Sequence, residues 1–143
     1  MRRTSWCVTC LIAAIVCMLH VASRVYNDFR AAVEDGNAIY QVSDMVALYV
    51  YSSGGVAPTD WNSLELAFLA TNSGYNSYTM AELQDRVFID FETLERIAAS
   101  RDSSTQDLVI IRRNRGSRLQ DVEAVANRRV LSALSREHID RSK

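Results

Sequence analysis

The sequence is short of several residue types, and each shortage excludes something. It has a single proline, Pro58, and a single lysine, Lys143, among 143 residues. The first excludes a proline-rich stalk or linker. The second makes the basic chemistry of this chain arginine chemistry. There are two histidines, His20 in an apolar N-terminal run and His138 near the C-terminus. That leaves a Ser-His-Asp triad or a His-rich metal site without material. The three cysteines are Cys7, Cys10 and Cys17, so no disulfide closes any loop beyond residue 17. No aromatic residue follows Phe91, so the arginine-rich end offers no stacking platform for single-stranded nucleic acid. A phosphate-binding glycine loop and a dinucleotide fingerprint are both missing, as are internal repeats and low-complexity tracts.

What is present is ordinary for a folded chain of about one domain: 48% apolar and 23% charged residues. The net charge of −1 conceals a split. Residues 1–111 hold 7 basic and 13 acidic residues, net −6, whereas residues 112–143 hold 9 and 4, net +5.

The strongest pattern lies at the start. Thr4 to Ser23 is a run of 20 residues without a formal charge, 15 of them apolar, between Arg3 and Arg24. As a helix it would rise about 30 Å, the thickness of a hydrocarbon core. The expectation is a short N-terminal tail over 1–3, a transmembrane helix over 4–23 in contact with the lipid bilayer, and a head domain over 24–143. Arg2 and Arg3 precede the run, which favours a cytoplasmic N-terminus and a head on the outer side. A signal peptide is the alternative, with Val21-Ala22-Ser23 as a small-residue cleavage site before Arg24. The product would be a secreted or periplasmic binding domain. Cys7 and Cys10 have the spacing of a redox or zinc pair, but no βαβ context surrounds them, and cysteine as a small hydrophobe accounts for them.

Beyond the run, an apolar stripe continues in steps of four and three through Val25, Phe29, Ala32, Gly36, Ile39, Ser43, Val46 and Val50. That period predicts one long helix from about residue 5 to 52, with Glu34-Asp35-Gly36-Asn37 as a site for a turn or kink. Gly54 or Gly55 supplies a left-handed cap, with Pro58 shortly after. A short helix follows with Trp61, Leu64, Phe68 and Leu69 on one face, then a loop over 71–77. Thr79 and Glu82 have the spacing of a capping box. Arg86–Phe91 alternates as a strand, and Leu108–Ile111 is a second, β-branched one. Glu92–Ser100 is ambiguous. Asn114–Ser117 reads as a turn, and a second capping box, Ser117 with Gln120, opens a helix to about Arg136. The fold class expected is therefore α+β: a long N-terminal transmembrane helix continuing as 24–52 into a small head with a short antiparallel sheet and a C-terminal helix.

The run Ala38-Ile39-Tyr40 through Leu48-Tyr49-Val50-Tyr51, followed by Gly54-Gly55, Pro58, Trp61 and Leu64, resembles type IV pilins and type II secretion pseudopilins over roughly residues 5–65. The resemblance implies a long helix carrying a small α+β head. The family's processing glycine and the glutamate of its mature helix have no counterpart, since no Gly precedes Gly36 and no Glu precedes Glu34.

No catalytic, cofactor-binding or metal-ligating set emerges, so the expectation is a small structural or interaction protein without catalysis. Asp90 and Glu92 would share a strand face, which a solvated surface explains. Trp61 beside the lone proline and the cluster Arg112, Arg113 and Arg115 are the candidate interaction residues. Their partners would be other proteins or a second copy; no nucleic acid and no small-molecule substrate is expected.

Overall fold

The computed structural model describes residues 3–71, 78–100, 110–114 and 119–141, with side chains over the same ranges except 3–11 and 136–141. Helix α1 spans Arg3–Ser52. A 3-10 turn at Asn62–Leu64 leads into α2, Glu65–Thr71; then come α3, Met80–Arg86, strand β1, Val87–Ile89, α4, Phe91–Ser100, strand β2, Ile111–Arg113, and α5, Gln120–Arg141. The chain divides into two units, Met1–Glu34 and Asp35–Lys143.

In the first unit every described side chain from Ile12 to Arg30 is exposed. Arg30 Nε donates to Glu34 Oε1 at 3.0 Å, one helical turn on. The transmembrane helix expected over 4–23, and with it the single-pass placement with a cytoplasmic tail and an outer head, is corrected here. Among the described residues no helix is long and apolar enough to cross a membrane. The side chains of residues 4–11 lie outside the described set. The described apolar stretch, Ile12 to Ser23, rises about 18 Å before Arg24 and Asp28, against ~30 Å of hydrocarbon.

The second unit is built on the other end of α1. Ala38, Ile39, Val42, Met45, Val46 and Val50 are fully buried there. Their spacing lays a broad apolar face along about four turns. No turn interrupts the helix at Glu34–Asn37; Gly36 sits inside it. The helix ends where Gly54 and Gly55 take φ of 67° and 85°. Gly55 N then donates to the carbonyl of Val50 at 2.7 Å, satisfying an end carbonyl that an L-residue would reach only with strain.

Caps decide the rest of the architecture. Asp60 Oδ1 accepts from the amide of Ser63 at 2.8 Å and starts the 3-10 turn. The expected capping box is present: Thr79 Oγ1 accepts from the amide of Glu82, and the Glu82 carboxylate accepts from the amide of Thr79 at 2.7 Å. Asp90 Oδ1 accepts from the amide of Thr93 at 3.0 Å and starts α4. This last cap corrects the strand expected to reach Phe91. The chain turns helical at Phe91, leaving β1 three residues long. Strand β2 shares Ile111 with the expected second strand, of which residues 108–109 lie outside the described set, and it pairs antiparallel with β1, Val87 opposite Arg113, Phe88 opposite Arg112 and Ile89 opposite Ile111.

The fold class is corrected accordingly. The described residues are predominantly helical with one two-stranded sheet, in place of a transmembrane α+β plan. Of the loop expected over 71–77, Thr71 instead closes α2, and residues 72–77 lie outside the described residues, as does Ser117 of the second capping box. The core joins α1 to Leu64, Leu83, Val87, Ile89, Leu94, Ile97, Ile110 and Ile111, and to Ala126, Val130 and Ala133 of α5.

Candidate functional site

Of the four residues singled out in the sequence, the three described ones, Trp61, Arg112 and Arg113, do not converge. Trp61 is half-buried and meets Phe91 edge-on, ring centroids 6.2 Å apart and planes at 81°. It packs against the core. Arg112 is exposed, and its guanidinium lies 4.5 Å from the centroid of Phe88, its cross-strand neighbour. Arg113, the next residue along β2, points the opposite way, as strand alternation requires. There its Nη2 reaches Asp35 Oδ2 at 2.5 Å. Arg115 lies outside the described residues.

Asp35 is the centre that the sequence did not disclose. It is buried in the middle of α1, and its two carboxylate oxygens take two arginines. Arg113 holds Oδ2, and Arg86, the last residue of α3, holds Oδ1 through Nη1 at 2.7 Å. Arg86 also lies over Tyr78, 5.7 Å from the ring centroid. One carboxylate therefore ties α1 to both α3 and β2. Removing it would leave two guanidinium groups close together in a partly dry site. The available signal is an acidic residue on the apolar side of a helix, within the Glu34–Asn37 stretch that allows a turn or kink.

Beside this fork, Asp35, Ala81, Glu82, Asp85 and Arg86 line an open cleft of about 450 Å³. Two of its carboxylates, Asp35 and Glu82, are engaged in structure. Glu82 is held below the ordinary carboxylate range, chiefly because it accepts the backbone N–H of Thr79. Asp35 is occupied by its arginines. Among the described residues no group of three or more His, Cys, Asp or Glu side chains is placed to hold a metal ion.

The pair Asp90 and Glu92 is likewise dispersed, Asp90 to a helix cap and Glu92 to α4. Asp90 also sits below the ordinary carboxylate range. The backbone N–H of Thr93 is the main cause, opposed by burial and aided by the Thr93 hydroxyl and by Arg96 and Arg112. His20 and Cys17 are exposed on α1, and the side chains of Cys7, Cys10 and His138 lie outside the described set.

The other feature sequence reasoning missed is the side-chain edge that α5 presents to β2. Glu123 and Asn127, one turn apart and both buried, bond the backbone of β2. The i, i+4 spacing of two polar residues beside Ala126 and Val130 was the signal available.

Comparison with protein-family models, with curated proteins and with solved structures finds no match to the chain.

Proposed function

We propose that the chain is a small non-catalytic structural and interaction protein, in which the N-terminal part of α1 is the contact element. One observation carries this reading. Ile12, Ile15, Val16, Met18, Leu19, Val21, Val25, Tyr26, Phe29 and Val33 are each 46–68% exposed on one helix. Large apolar side chains scattered singly are normal on a surface, but a contiguous row marks a place where another apolar surface belongs. The second unit supports the same reading. Among its buried polar groups, Asp35, Glu123 and Asn127 hold arginines or backbone.

Hydrogen–deuterium exchange of the purified full chain tests the proposal. Amides of Leu19–Val33 are expected to exchange at least tenfold slower than in a variant carrying Tyr26→Ser, Phe29→Ser and Val33→Ser. Equal rates in the two proteins would remove the contact role.

A further inference from the structure

Resting on that reading, we infer that the partner of this helix is a second copy of the chain, joined to it through a heptad seam. Ile15, Leu19, Ala22, Tyr26, Phe29 and Val33 follow one another in steps of four, three, four, three and four. This is the 3.5-residue period of a helix pair, maintained over about 27 Å. All six are exposed. With Leu19, Tyr26 and Val33 at a positions and Ala22 and Phe29 at d positions, the charges of the segment fall elsewhere. Arg24 is at f, Asp28 at c and Glu34 at b.

The flanks decide the occupant. The g positions are Met18, Val25 and Ala32, and the e positions are Val16, Ser23 and Arg30. Such flanks give a charged heterologous helix nothing to read, because e and g charges are what select partners. Two identical helices meet no obstacle. The only charge on the flanks, Arg30, is already paired within its own helix to Glu34. Ala22 leaves room between the larger Leu19 and Tyr26 for knobs from the other copy. The two aromatics, 65% and 68% exposed, alone bring on the order of 200–300 Å² per copy. The aliphatic seam residues and Val25 carry this toward the ~800 Å² a side of a standard interface.

The test is phase-dependent cross-linking of the full chain with Cys7, Cys10 and Cys17 replaced by Ser. Tyr26→Cys and Phe29→Cys, on the seam, are expected to give covalent dimers under mild oxidation. Arg24→Cys and Ala31→Cys, on the outer face, are expected to give at least tenfold less. Absence of seam dimers, or equal yields at all four positions, overturns the inference. Slow amide exchange over Leu19–Val33 without seam dimers would leave the interaction reading standing and show that the second copy is the wrong occupant. Protection that arises only on addition of phosphatidylcholine vesicles would likewise overturn it, with lipid as the cover.

Discussion

Asn127 of α5 completes the hydrogen bonding of Ile111 in β2. Its Oδ1 accepts the Ile111 amide at 2.7 Å and its Nδ2 donates to the Ile111 carbonyl at 2.9 Å. The same Oδ1 accepts the amide of Ile110 at 2.7 Å, and Nδ2 also donates to the carbonyl of Glu123 at 2.6 Å. Glu123 Oε1 then accepts the amide of Arg113 at 2.9 Å. In an antiparallel pair alternate residues turn their backbone groups away from the partner strand. Ile111 and Arg113 are those residues in β2, and α5 supplies the bonds that a third strand would have made. On this edge of the sheet, side chains take the place of a further strand, which also removes a template for edge-to-edge aggregation.

Asn127→Ala should therefore be costly. It leaves the amides of Ile110 and Ile111 and the carbonyl of Ile111 buried without that partner, at ~1–3 kcal/mol for each group left unsatisfied. With three such groups a total loss of at least about 3 kcal/mol is expected, read as a fall in the urea midpoint at unchanged slope. Asn127→Asp keeps the acceptor but loses the donor, and it should also destabilise. A midpoint that does not move in the alanine variant would show that water replaces the amide.

The arginines of β2 should part company under mutation. Arg113→Ala breaks the fork on Asp35, and Asp35→Asn weakens both of its arms. Each should destabilise by ~1–3 kcal/mol, below the cost of breaking a fully buried pair because Arg86 retains some exposure. Arg112→Ala removes a cation–π contact on the surface, worth ~0.5–1 kcal/mol. Chemical denaturation of the three variants checks the order. Equal losses for Arg112→Ala and Arg113→Ala would contradict the opposite faces assigned to them.

Legibility in the sequence followed the range of the forces. The capping box at Thr79 and Glu82 and the glycine end of α1 are set within a few residues of chain, and the spacing disclosed both. The packing stripe of α1 was readable wherever its period met the core, at Gly36, Ile39, Ser43, Val46 and Val50. Asp90 defeated the strand reading because alternation through Phe91 suited a strand, while one carboxylate cap on Thr93 was enough to start α4. The Asp35 fork and the Asn127 edge join residues 51 and 16 positions apart, as in Arg86 to Asp35 and Asn127 to Ile111. No local period reports contacts of that separation. Exposure of the N-terminal helix was beyond composition for a related reason: an apolar run states that it needs cover, and leaves the nature of the cover open.

Stability should fall in acid, and two caps should carry part of the loss. Glu82 and Asp90 are both held below the ordinary carboxylate range, by the backbone N–H groups of Thr79 and Thr93 first of all. A carboxyl whose folded pKa is depressed contributes stability that is present above its unfolded value. That contribution is lost as pH falls through the folded value. The window therefore opens near pH ~4, the ordinary carboxylate range, and extends below it. Urea midpoints taken between pH 6 and pH 3 should decline. The decline should be shallower in Thr79→Ala and Thr93→Ala, where the hydroxyls that steady each carboxylate are gone. Variants that merely shift the whole curve, with its slope intact, would remove these caps from the acid response.

Gly36 is the position where the protein should gain stability. It lies in the interior of α1, where glycine costs ~0.5–1 kcal/mol relative to alanine because the unfolded chain has more freedom to lose. A Cβ built there meets only the Cγ atoms of Val122, at 4.0 Å, an ordinary van der Waals distance. Alanine thus fits without displacing α5, and its methyl adds a contact to a partly buried valine. Gly36→Ala is expected to stabilise by about 0.5–1 kcal/mol, seen as a melting temperature a few degrees higher. A larger residue should reverse the sign, since Gly36 is buried and Gly36→Leu would force its side chain against Val122. If alanine destabilised instead, the helix would not run unbroken past Asp35 in solution, and the fork that Asp35 makes with Arg86 and Arg113 would have to be held by a different backbone.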